Sequence, residues 1–223
     1  TKVWYDNNNL DGKRPAGITV KLYGKAVEAA QEEILDTTLN EANNWKYTKT
    51  DLPKFKHGAA YTYYWTEETQ LPGYTVEAAQ QNGEKSFVTK LTNTHTPEKT
   101  KATVEKRWSD NDNQDQKRPE SITVTLYAEA DDVAKHKVDE AVLNETNHWA
   151  ATKSGLAKNV NGKPYTYTWE EENVPEGYTL TTGYDSEDTS KTILTNTHIP
   201  EKVEASVEKV WNDNNNQDGK RPT

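Results

Sequence analysis

The chain has no cysteine and no methionine, only two phenylalanines, and no stretch of apolar residues long enough to span a bilayer as a helix. Without cysteine, no disulfide can brace a small core. A membrane-spanning helix is excluded, and no signal-peptide pattern is present. Hydrophobic residues make up 32% of the chain and mean hydropathy is -1.09, values that lean towards disorder unless structure-forming residues compensate. Basic residues are also in deficit, 27 against 36 acidic, for a net charge of -9. That balance disfavours nucleic acid and anionic membrane as partners.

What is present opposes disorder. Seven Trp and 12 Tyr stand in alternating runs, and large aromatics can build a compact core from few positions. The sequence also repeats. Lys-x-Trp occurs as Lys2-Val3-Trp4, Lys106-Arg107-Trp108 and Lys209-Val210-Trp211, each followed by a turn rich in Asp, Asn and Gln and then by Lys-Arg-Pro. The expected organisation is one repeat over 1–98, a second over 99–202, and the first strand and turn of a third over 203–223. The chain therefore reads as an excerpt of something longer. Short proline-bearing junctions, Thr96-Pro97-Glu98-Lys99 and Ile199-Pro200-Glu201-Lys202, imply a semi-rigid rod.

Within the first repeat, Ile18-Thr19-Val20-Lys21-Leu22-Tyr23 alternates apolar and polar, as a half-buried strand does. Residues 26–36 have some helical propensity, but a hairpin edge is the better reading. Leu39 to Trp45 should turn into a strand that ends at Asp51-Leu52-Pro53. Tyr61 to Glu68 is the strongest strand signal, and its parity sets Tyr61, Tyr63, Trp65 and Glu67 on one face. Leu71-Pro72-Gly73-Tyr74 turns the chain, and Phe87 to Thr94 forms a last strand with Phe87, Leu91 and Asn93 on one face. The second repeat restates this pattern, and no convincing helix appears. An all-β, antiparallel sandwich is expected for each repeat.

Three polar side chains per repeat then fall on otherwise apolar faces. Lys2 sits with Trp4, Glu67 with Tyr63 and Trp65, and Asn93 with Leu91; Lys106 sits with Val104 and Trp108, Glu171 with Tyr167 and Trp169, and Asn196 with Leu194. Burial disfavours both charged forms, so it pushes the lysine towards neutral amine and the glutamate towards neutral acid. A neutral amine is a nucleophile, and an Asn carboxamide becomes an electrophile when its carbonyl is polarised. A protonated Glu could polarise that carbonyl and shuttle protons as ammonia leaves. The product would be a Lys-Asn isopeptide bond between the first and last strands. A buried ion pair or a snorkelling edge lysine is the plainer alternative.

These motifs resemble the B-type repeats of the collagen adhesin (CnaB) family. The likeness is carried by Lys-Val-Trp with Asp-Asn-Asn-Asn-Leu-Asp-Gly-Lys-Arg-Pro, by Tyr-x-Trp-x-Glu, by Leu-Pro-Gly-Tyr or Val-Pro-Glu-Gly-Tyr, and by Leu-Thr-Asn-Thr-His. The resemblance implies tandem inverse immunoglobulin-like sandwiches in a rod-like arrangement and autocatalytic isopeptide bonds, Lys2 to Asn93 with Glu67 and Lys106 to Asn196 with Glu171. It also implies a stalk role on the wall of a Gram-positive bacterium, with host matrix contacted through other domains. A matrix-binding adhesin module or a pilin domain is the alternative. Lys209 has neither a Glu nor an Asn partner and should be unbonded. No turnover enzyme, cofactor or metal is expected. Asp6-x-Asn8-x-x-Asp11-Gly12 looks superficially like a calcium loop, but its glycine falls late and no bidentate Glu follows, so a turn is the better reading. The five histidines lack metal-ligand spacing.

Overall fold

The computed structural model describes residues 1–222. In the first repeat the strands are β1 (Lys2–Tyr5), β2 (Gly17–Ala26), β3 (Glu32–Asn40), β4 (Phe55–Lys56), β5 (Ala59–Glu67), β6 (Thr75–Asn82) and β7 (Phe87–Thr94). They form two sheets, ordered β1-β7-β6 and β3-β2-β5-β4. The second repeat contains β8 (Lys99–Ser109), β9 (Ser121–Ala130), β10 (Val133–Asn144), β11 (Ala150–Ala157), β12 (Asn159–Val160), β13 (Lys163–Pro164), β14 (Thr166–Glu170), β15 (Thr179–Tyr184) and β16 (Lys191–Thr197). Its sheets are β11-β8-β16-β15 and β10-β9-β14, with β12-β13 as a small separate hairpin. All pairings are antiparallel except β1 with β7 and β8 with β16, which join the first strand of each repeat to its last in parallel.

Alternation builds the cores. Along β2, Ile18, Val20, Leu22 and Gly24 are buried while their neighbours are not. In the second repeat Val104, Val124, Leu126, Leu143, Trp169 and Leu194 meet between the sheets. Residues 26–36 form a hairpin, as read from sequence. Residues 46–54, expected as a strand, are not one. Their counterpart β11 is held by hydrogen bonds to residues 99–105 of β8, a stretch whose equivalent in the first repeat would precede Lys2. A cleft of about 730 Å³ lies beside residues 47–54, lined by Leu52, Tyr63, Trp65 and Phe87. In the second repeat the matching space holds the start of β8, with Ala102 and Val104 buried in it. It is therefore a strand position within the sandwich. The expected first strand of the third repeat is likewise absent, because residues 203–211 pair with nothing.

The two cores differ at one glycine. A Cβ on Gly24 would lie 2.2 Å from the Tyr61 ring, and Tyr61 is buried. The second repeat has Ala128 at this position, and its matching Tyr165 is only half-buried. Gly24→Ala should push Tyr61 outward to the Tyr165 position and cost about 1–3 kcal/mol, readable as a lower melting midpoint and more exposed tyrosine fluorescence.

Candidate crosslinking sites

In each repeat a tight turn fixes the first strand at the site. Asn40 and Asn144 cap the short 3₁₀ turns Glu41–Asn43 and Glu145–Asn147 through reciprocal side-chain bonds. The two residues that follow have positive φ, 52° and 55° at Asn44 and Trp45 and 54° and 56° at His148 and Trp149. For a tryptophan this conformation costs about 1–2 kcal/mol. The strain aims the Trp45 carbonyl at the Lys2 N–H and the Trp149 carbonyl at the Lys106 N–H, each accepting at 2.8 Å. It also sets the Trp45 ring edge-on to Trp4, and Trp149 edge-on to Trp108, with centroids 5.1 Å apart in both.

Parallel pairing then places lysine and asparagine on one inner face. Lys2 is opposite Leu91 and Trp4 opposite Asn93; Lys106 is opposite Leu194 and Trp108 opposite Asn196. Lysine and asparagine are thus separated by one period-2 step along the ladder. The end of β5 and the residue after β14 supply the carboxylate between them. Glu67 accepts from Lys2 Nζ through Oε2 and from Asn93 Nδ2 through Oε1, both at 2.7 Å. Glu171 accepts from Lys106 Nζ at 2.7 Å and from Asn196 Nδ2 at 2.9 Å. The adjacent acids face away: Glu170 pairs with Lys135, Glu172 takes the Tyr127 hydroxyl, and Glu68 accepts from Thr66.

All six side chains are enclosed. Lysine and glutamate side chains are 0% and 1% exposed in the first repeat and 0% and 0% in the second, and both asparagines are fully buried. Burial lowers the Lys2 and Lys106 pKa values, against the opposing pull of the glutamate bonds. Each lysine also lies against its tryptophan, 4.5 Å from the Trp4 centroid and 4.8 Å from that of Trp108. Asn93 Oδ1 and Asn196 Oδ1 are buried without a partner. Rotating either amide would turn that oxygen towards the glutamate, where a protonated carboxyl could donate to it. Lys209 rests over the Trp211 ring, 4.7 Å from its centroid.

The model of the Cna protein B-type domain matches residues 1–94 and again 102–197. The chain belongs to the Cna protein B-type domain family. The collagen adhesin of Staphylococcus aureus is 42% identical over 221 residues, which cover 99% of this chain but 17% of that protein. The chain therefore spans about a sixth of that relative's length. A crystal structure of two B repeat units of the S. aureus collagen binding protein is 40% identical with a TM-score of 0.50, covering 99% of this chain and 54% of the other. A single B repeat unit of the same surface protein is 38% identical, with TM-score 0.40 and 89% and 96% covered. Both repeats are B-type domains, and the all-β sandwich architecture is that of the family.

The calcium-like loop performs a different task in these domains. The Asp6 carboxylate accepts two bonds from Arg14, one from the Tyr74 hydroxyl and one from the Asn9 N–H, while Asp11 is bonded to His95 and to the Glu98 N–H. Sequence reasoning missed this role for His95 and His198. Their recurrence after Leu-Thr-Asn-Thr was the available signal.

Proposed function

We propose that the two B-type domains, over residues 1–98 and 99–202, are self-crosslinking spacer modules in the stalk of a Gram-positive wall-anchored surface protein, with 203–223 beginning a third. The supporting observation is one buried carboxylate bridging an amine and a carboxamide, repeated with nearly the same distances in both domains. Within that cage the proton moves from the ammonium to the glutamate, leaving Lys Nζ as a neutral nucleophile. Nζ attacks the Asn Cγ, whose oxygen the protonated glutamate polarises. The C–N bond to the old amide nitrogen breaks, and the glutamate delivers the proton that lets it leave as ammonia. Lys-NH₂ and H₂N-CO-Asn become Lys-NH-CO-Asn and NH₃. The reaction consumes its own residues, so there is one turnover and no enzyme. The neighbouring repeats of the chain are the natural partners, and host matrix would be contacted by other parts of the protein.

The alternative, direct ligand binding by these domains, is disfavoured because the cleft beside residues 47–54 matches a strand position. Intact mass spectrometry of the denatured chain tests the chemistry. The expected mass is the sequence sum less two molecules of ammonia, with Lys2-Asn93 and Lys106-Asn196 recovered as branched peptides and Lys209 free. A mass equal to the sequence sum would reduce both sites to buried ion pairs.

A further inference from the structure

The turn end of the first repeat meets the β12–β13 hairpin of the second in a contact that uses every oxygen of one carboxylate. Asp11 Oδ2 accepts from His95 Nε2 and from the Glu98 N–H of the linker, both at 2.8 Å, and Oδ1 accepts from Asn159 Nδ2 at 3.1 Å. His95 Nδ1 faces the Gly73 carbonyl at 2.7 Å, so both ring nitrogens face acceptors, an arrangement that favours the doubly protonated imidazole. The Gly162 N–H donates to the Leu10 carbonyl and the Lys158 N–H to the Glu98 carbonyl, at 3.1 and 3.0 Å. The Glu98 carboxylate lies between Lys13 and Lys158 at 2.7 and 2.8 Å.

Two glycines, Gly12 and Gly162, face each other in this contact. A Cβ on Gly12 would lie 2.5 Å from Gly162 Cα. Gly12 has φ 67°, a conformation that glycine adopts freely, yet the turn itself does not demand glycine. At the matching place in the second repeat Gln116 adopts φ 53° in the same turn, where Asp115 again accepts from His198 and from the Glu201 N–H, both at 2.9 Å. What glycine permits at position 12 is therefore the arrival of the hairpin. The third copy of the turn has Gly219, at φ 62° and open to solvent.

We propose that the turn end of a B-type domain of this chain is a docking surface for the hairpin tip of the domain that follows, and that the residue after the turn aspartate selects the joint. Glycine there accepts a tip of bare backbone with a side-chain amide donor, as Gly162 and Asn159 supply. Glutamine there blocks that seat. The joint after the first repeat is locked; a domain following the second cannot seat a glycine tip on Gln116 in the same way, whereas the Gly219 turn again can. The joint needs neither crosslink, although its value to a stalk rests on the spacer reading.

The test compares the whole chain with Gly12→Gln and Gln116→Gly, using residual dipolar couplings for each domain and hydrogen exchange at the Gly162 amide. The wild-type chain and Gln116→Gly should give one alignment tensor for both domains and a protected Gly162 amide. Gly12→Gln should give two tensors of different magnitude and at least tenfold faster Gly162 exchange, with each domain's melting midpoint and ammonia loss unchanged. A single shared tensor in Gly12→Gln, or independent domains in the wild-type chain, would overturn the proposal. Because mass reports the crosslinks separately, failure of that chemistry would be visible as such.

Discussion

Glu171→Gln is expected to leave the Lys106-Asn196 bond unformed and to lower the melting temperature of the second domain by on the order of 20–30 °C. The magnitude follows from loop closure. A crosslink enclosing about 90 residues removes about 4–5 kcal/mol of unfolded-state entropy, and each kcal/mol moves the midpoint of a domain this size by about 4–8 °C. Part of the loss in Glu171→Gln would come from another source, because Lys106 would remain buried without its counter-charge. Lys106→Met separates the two effects, since it removes the nucleophile and the buried cation together. If the crosslink carries the stability, both variants melt far below wild type and both retain the ammonia. A Lys106→Met chain that melts with the wild type, or a Glu171→Gln chain that still loses two ammonias, would refute the assignment. The first domain serves as an internal control in the same molecule, its Lys2, Glu67 and Asn93 untouched.

That experiment rests on a site much of which can be read from strand parity. Period-2 counting along Tyr61 to Glu67 and Tyr167 to Glu171 turns one glutamate of each acidic run inward, and the structure has Glu68, Glu170 and Glu172 facing out. Counting along one strand cannot reveal that the first strand pairs with the last in parallel, which is what sets lysine and asparagine one step apart; the sequence led to an antiparallel sandwich with a Lys-Asn bond between those strands. Strand β6 was invisible for a different reason. All eight of its residues are exposed, so it carries no apolar alternation to detect. The expected strand at 46–54 shows the converse, a run with strand propensity that is not a strand. The joint between domains lay beyond reach altogether, since Gly12 reads as ordinary turn chemistry until Gly162 is seen against it.

The turn that follows each Lys-x-Trp is the part most completely encoded by local sequence, and it is also where acid should act. Asp213, Asn216 and Arg221 form the same bonds in the third copy, without any sheet around them, as Asp110, Asn113 and Arg118 form in the second. In the folded domain Asp110 gains a long-range bond from the Tyr178 hydroxyl at 2.9 Å and is 1% exposed. The two bonds from Arg118, working against the cost of burial and helped by Asn113 and Tyr178, hold its pKa down at about 2. A carboxylate depressed in the folded state stabilises above its unfolded pKa, 3.8, and that contribution disappears as pH falls from there towards 2. Roughly 1–2 kcal/mol should therefore be lost in that window after allowance for screening. Asp110→Ala should remove it at every pH and leave the Arg118 guanidinium and the Tyr178 hydroxyl facing each other without an acceptor, a cost of about 3 kcal/mol at neutral pH. Thermal melts from pH 7 to pH 2 check both statements. The wild-type midpoint of the second domain should fall through the window, and the Asp110→Ala midpoint should start on the order of 15 °C lower and change less with acid. Parallel acid profiles for the two chains would mean that the pH dependence belongs to other carboxylates. Because a crosslink limits only the unfolded chain and leaves the turn's own bonds as they are, this loss should appear whether or not Lys106 and Asn196 are joined.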